Sequence, residues 1–106
     1  MRKDKEIAGV SSKIKEHAEK IEGVKKVILY GSYARNEAGK HSDIDILVVV
    51  EDNIDTKRVE VEMDDLLFDI LLEEKKLVSL IVVKESLFEN YKSPLFLNVK
   101  EEGVLL

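Results

Sequence analysis

Between Gly31 and Val48 the chain reads Gly-Ser-Tyr-Ala-Arg-Asn-Glu-Ala-Gly-Lys-His-Ser-Asp-Ile-Asp-Ile-Leu-Val, and several residues in it suit a single task. Gly31 lets backbone approach a ligand closely because it carries no Cβ. Ser32 offers a hydroxyl, and a short helix expected from Ser32 to about Ala38 would present free amides at its start to a phosphate. Arg35, three residues on, falls on the same helical face and reaches the same anion. Asp43 and Asp45 alternate, so on a strand both point to one face. Two carboxylates there supply the hard oxygen ligands that Mg²⁺ takes, with positions left for water and substrate phosphates. Together these residues describe a site for a metal-bound nucleoside triphosphate.

The elements that must hold this site follow from the spacing of apolar residues. Ile7, Val10, Ile14, Ala18 and Ile21 recur at steps of three and four, which predicts an amphipathic helix that Gly23 can end. Val24 and Val27 to Tyr30, bounded by Gly23 and Gly31, read as a buried strand that stops where the chemistry begins. Ser42 to Val50 opens with strict alternation and becomes continuously apolar, the pattern of a strand entering the middle of a sheet. Asn53 or Asp55 can cap a long helix from about Thr56 to Lys75 with the stripe Val59, Met63, Leu66, Leu67, Ile70 and Leu71. Val61, Phe68 and Leu72 widen that stripe beyond one face, enough to dock a neighbouring element or a second chain. Leu77 to Val83 reads as a third strand. Glu85 to about Tyr91 and Leu95 to about Glu102 read as closing helical segments interrupted at Pro94. Helix and strand alternate, so the fold class is α/β with a small mixed sheet of three or four strands packed by helices.

Composition narrows the setting. A chain of 106 residues is expected to form one domain, residues 1–106, with one core. Lys+Arg 17 against Asp+Glu 22 leaves a net charge of −5, which argues against nonspecific DNA binding because counterion release needs a basic face. With no cysteine, disulfides, thiolate metal sites and thiol nucleophiles are excluded, and a reducing, cytoplasmic setting is expected. The apolar run Ile46 to Val50 is far too short to cross a bilayer.

The motif resembles that of the minimal nucleotidyltransferases of the DNA polymerase beta superfamily. Their core pattern is Gly-Ser, then Ala-Arg-Gly, then Ser-Asp-x-Asp followed by an apolar strand. Gly31, Ser32, Ala34, Arg35, Ser42, Asp43 and Asp45 match it by position. The resemblance implies the nucleotidyltransferase fold and transfer of a nucleoside monophosphate, with ATP the expected donor, to a hydroxyl with release of pyrophosphate. It assigns Gly31, Ser32 and Arg35 to the triphosphate and Asp43 and Asp45 to Mg²⁺ and catalysis. It also implies a HEPN-type helical partner protein, because minimal nucleotidyltransferases pair with such toxins as antitoxin-like subunits, and the partner could supply the acceptor hydroxyl.

Two departures from the pattern stand out. Asn36 occupies the place of a glycine. More seriously, the resemblance implies a third carboxylate on the third strand, where this chain has Ser79. A hydroxyl is a poor Mg²⁺ ligand beside a carboxylate and is no base at neutral pH, so nucleotide binding can survive while transfer suffers. Two further readings follow: a catalytically weak or inactive binding subunit of a HEPN pair, and a nucleotide sensor without turnover.

Other chemistry-bearing residues have plainer roles in view. Tyr30 and Tyr33 suit packing, His17 borders the apolar stripe of the first helix, and His41 suits an exposed loop. Asp64, Asp65 and Asp69 suit a solvated helix face. Those three or Glu85, just past the third strand and the better placed, could replace the carboxylate missing at Ser79.

Overall fold

The computed structural model describes residues 2–39 and 43–106, with residues 2–6 described by their backbone alone. Its elements run α1 Arg2–Glu19, β1 Val24–Tyr30, β2 Ile44–Val50, α2 Thr56–Glu74, β3 Val78–Lys84, α3 Glu85–Asn90, α4 Pro94–Glu102 and β4 Val104–Leu105. The strands form one mixed sheet in the order β3-β2-β1-β4. β1 is antiparallel to both of its neighbours, whereas β2 and β3 are parallel and are joined through α2, as a parallel pair requires a crossover.

β2 is covered on both faces, which is why its sequence loses its alternation after Asp45. Ile44, Ile46, Val48 and Val50 join Val27 and Leu29 of β1 in a core with Val10, Ile14 and Ala18 of α1 and Val59, Met63 and Ile70 of α2. Leu47 and Val49 face the other way, into a second core with Ile28, Val83, Phe88, Phe96 and Val99. There the rings of Phe88 and Phe96 meet edge to face, 5.5 Å between centroids. Helices α1 and α2 therefore cover one face of the sheet, and α3 and α4 the other.

Local chemistry sets the helix ends. The Asp55 carboxylate accepts from the Lys57 amide at 3.0 Å and starts α2, while Lys75, in the left-handed region at φ 58, stops it. The Ser93 hydroxyl accepts from the Phe96 amide at 3.0 Å, with Pro94 at the first helical position of α4.

Three expectations need correction. The helix expected from Ser32 to Ala38 is a single turn. Asn36 takes φ 60, and the Asn36 amide bonds the Tyr33 carbonyl while the Glu37 amide bonds the Ser32 carbonyl, at 3.2 and 2.8 Å. Those two bonds around a left-handed residue make a Schellman closure that ends the helix after one turn. Leu71, placed in the core stripe of α2, is 38% exposed, because the stripe follows Val59, Met63 and Ile70 around the helix. The last strand, β4, has no signature in the sequence, since its two residues are too few to show a period. Among the described residues no helix is long and apolar enough to cross a membrane.

Candidate functional site

Asp45 is the second residue of β2, and both neighbouring strands place a polar residue directly beside it. Tyr30 of β1 is its antiparallel partner, and Ser79 of β3 is its parallel partner. Registered residues of paired strands share a sheet face, so Tyr30, Asp45 and Ser79 form a row on the face that carries Leu47 and Val49. Asp43 precedes β2 by one residue and is exposed, whereas Asp45 is half-buried. Burial raises the Asp45 pKa, the nearby charge of Asp43 raises it further, and Arg35 partly opposes both. The Tyr30 hydroxyl is pushed up as well, by burial first and then by the charge of Asp45.

Gly31 fits against this row for a steric reason. Its φ of +77 lies in the left-handed region, and a Cβ placed there would overlap the Asp45 carboxylate. The close approach that its missing side chain permits is thus to the aspartate itself. The turn that follows gives its residues separate tasks. Tyr33 and Ala34 pack on the first core, and the Tyr33 hydroxyl accepts from Lys76 Nζ at 3.1 Å. Among the described residues no backbone carbonyl accepts from the amides of Ser32, Tyr33 or Ala34, which leaves donors of the kind an anion takes. Asn36 at φ 60 explains how the chain tolerates a residue other than glycine: asparagine enters the left-handed region more readily than most side chains.

Arg35 is held between two carboxylates. Its Nε donates to Glu37 Oε1 at 2.8 Å and its Nη1 to Glu102 Oε2 at 3.2 Å. Glu102, the last residue of α4, was not singled out in the sequence. Nothing in its local pattern signals the contact, because the fold brings it to Arg35 across 67 positions.

Gly31, Arg35, Asp43, Asp45 and Ser79 therefore converge at one corner of the sheet, with Ser32 in the adjoining turn. Ser42 and His41 lie outside the described residues. The carboxylates considered as substitutes for a third ligand are elsewhere. Glu85 starts α3 beyond the far end of β3, about 20 Å along the strand from the level of Asp45. Asp64, Asp65 and Asp69 are on α2, which covers the opposite face. Among the described residues no group of three or more His, Asp or Glu side chains could hold a metal. The exposed carboxylate of Asp43 and the half-buried one of Asp45 could hold a single Mg²⁺ whose remaining positions go to water and phosphate, and Ser79 offers only a hydroxyl toward a second ion.

Known proteins resemble this chain in sequence and in fold. The family model described as "Nucleotidyltransferase domain" matches residues 11–103. A protein of Methanocaldococcus jannaschii named "Putative protein adenylyltransferase" is 39% identical over 84 residues, 78% of this chain and 78% of that protein. Among solved structures, a nucleotidyltransferase-named protein from Sulfolobus solfataricus superposes with a TM-score of 0.60 at 20% identity, covering 96% of this chain and 82% of that one. A toxin-antitoxin structure with AMP-PNP gives 0.59 at 19% identity, covering 99% and 72%. A tri-AMPylated Shewanella oneidensis HEPN toxin in complex with MNT antitoxin gives 0.55 at 17% identity, covering 97% and 70%. At these identities the solved structures speak for the fold.

Proposed function

Because this chain belongs to the nucleotidyltransferase domain family, we propose that it binds a nucleoside triphosphate with Mg²⁺ at the Gly31–Asp45 corner and transfers the nucleoside monophosphate to a hydroxyl. The observation that carries this reading is the contact of Gly31 with Asp45, which only a residue without a Cβ permits. It sets an amide-bearing turn directly against a carboxylate, so phosphate donors and metal ligands meet in one place. Asp43 and Asp45 would hold the ion, which when bound neutralises the phosphates and makes the α-phosphate a better electrophile. The turn amides, Ser32 and Arg35 would hold the triphosphate and fix its orientation. For Arg35 to do so, its guanidinium must exchange Glu37 and Glu102 for phosphate oxygens, an exchange of like for like because phosphate accepts its fork of donors as carboxylate does.

The nucleotide is best read as ATP and the acceptor as a protein hydroxyl, by analogy with the adenylyltransferase-named relative. A HEPN-type partner fits the toxin-antitoxin structures that share the fold. Val61, Phe68 and Leu72 of α2, 59%, 60% and 52% exposed, offer an apolar stripe on which such a partner or a second copy could dock. The test is incubation of the chain, alone and with a candidate HEPN-type partner, in ATP labelled at the α-phosphate. Mg²⁺-dependent label on protein, lost in Asp43→Asn and Asp45→Asn, is the expected result. A complex that forms without label would favour the second reading, a binding subunit of weak or no activity, for which the hydroxyl of Ser79 at the third-carboxylate position is the specific reason.

A further inference from the structure

The row Tyr30–Asp45–Ser79 gives the two flanking hydroxyls different freedom. Tyr30 packs its ring on the second core. Ser79 is on β3, an edge strand of the sheet, it is exposed, and among the described residues nothing bonds its hydroxyl. Its strand lies one spacing, about 4.8 Å, from that of Asp45. A triphosphate whose metal ion is held by Asp45 would thus lie on the same sheet face as the Ser79 hydroxyl, one strand away from it. A carboxylate at this position would act on a hydroxyl brought by another molecule. A serine brings the hydroxyl itself.

We propose that Ser79 is an acceptor in its own right, so that the chain transfers a nucleoside monophosphate from a nucleoside triphosphate onto its own β3. The inference rests on the function proposed above and names one of its acceptors. In the step, a bond forms between Ser79 Oγ and the α-phosphorus while the bond from that phosphorus to the α,β-bridging oxygen breaks. Pyrophosphate leaves with the electron pair, and the hydroxyl proton passes to water. Nothing is oxidised or reduced. With Asp43 and Asp45 engaged by the metal ion, no carboxylate beside Oγ would be free to act as a base, so the reaction is slow. It is also self-limiting, because the product is a phosphodiester that consumes the hydroxyl and leaves a nucleotide lying over Asp45.

The experiment uses the full chain alone with Mg-ATP, followed by intact mass and peptide mapping. One adenylyl group per chain is expected, on the peptide containing Ser79, at a rate independent of protein concentration because donor site and acceptor share a sheet. Ser79→Ala should lose the modification and Ser79→Thr, which keeps a hydroxyl, should retain it, with melting curves confirming that both variants fold. Label on Tyr30 or any other residue, or undiminished label in Ser79→Ala, overturns the assignment. An unlabelled wild type whose melting temperature still rises with Mg-ATP, and does not in Asp45→Asn, overturns self-transfer while the nucleotide site stands. Absence of both the label and that Asp45-dependent rise overturns the site as well.

Discussion

Arg35 and Glu102 tie the turn after β1 to the last residue of α4, Nη1 to Oε2 at 3.2 Å. The guanidinium proposed to grip phosphate is thus already engaged in the free protein, and the C-terminal helix is one of its partners. The pair is open to water, so its own worth is small and salt-sensitive. Its competition with ligand is nevertheless direct. Glu102→Gln should therefore tighten Mg-ATP binding severalfold in low salt, with the gain shrinking as salt is added. Isothermal titration of both proteins at two ionic strengths reads this, and weaker binding by the variant would show that Glu102 positions Arg35 instead of occupying it.

Asp45 supplies a pH signature. Burial and Asp43 raise its pKa in the folded state, so between the ordinary carboxylate range and that raised value the folded chain holds a proton that the unfolded chain has lost. Stability then falls as pH rises through that window. At neutral pH the ionised Asp45 is a cost in metal-free protein. Asp45→Asn should raise the melting temperature in chelator at neutral pH, and the difference should close on acidification below the window. Added Mg-ATP should stabilise only the wild type. A variant that melts lower than wild type at neutral pH would mean that the carboxylate is satisfied within the fold.

Gly31 tests the steric part of the site. Alanine there must adopt a left-handed conformation costing about 1–2 kcal/mol, and it must also displace the carboxylate of Asp45. Gly31→Ala should thus be destabilised by more than the backbone cost, and Asp45→Ala should return the excess when combined with it. Chemical denaturation of the two single variants and the double variant forms the cycle. Strict additivity would dissolve the contact as an energetic fact.

Periodicity made the element order legible and capping preference narrowed the start of α2 to Asn53 or Asp55, of which the fold uses Asp55; Gly31, Asp43 and Asp45 could be placed because alternation and a missing Cβ are local properties. The turn after β1 reads as a helix in the sequence because nothing in Ser32 to Glu37 forbids one. The stop is the left-handed Asn36, whose conformation depends on the closure around it. Glu102 escaped notice for a different reason: its partner is 67 residues away, and a charged residue on a short helix looks the same whether it faces water or an arginine. Ser79 was identified by resemblance, and its place beside Asp45 follows from the β2–β3 register.

That register frames the last prediction. Ser79→Asp would set a third carboxylate beside Asp45 on the open edge of the sheet, where it can take a second metal ion and draw the proton from an incoming hydroxyl. Transfer to a supplied external acceptor should rise by roughly 100-fold or more, about 3 kcal/mol of barrier. Self-modification should vanish with the hydroxyl. Nucleotide affinity should change far less, since the triphosphate brings its own oxygens to the ion held by Asp43 and Asp45. In chelator the same substitution should lower the melting temperature, because three like charges then crowd one corner, and Mg²⁺ should restore more than is lost. Pyrophosphate release with a candidate acceptor, paired with melts in chelator and in Mg²⁺, reads all of these. Faster wild-type turnover than that of Ser79→Asp, with unchanged melts, would show that the third strand does not carry the missing function and that the acceptor is activated from outside this chain.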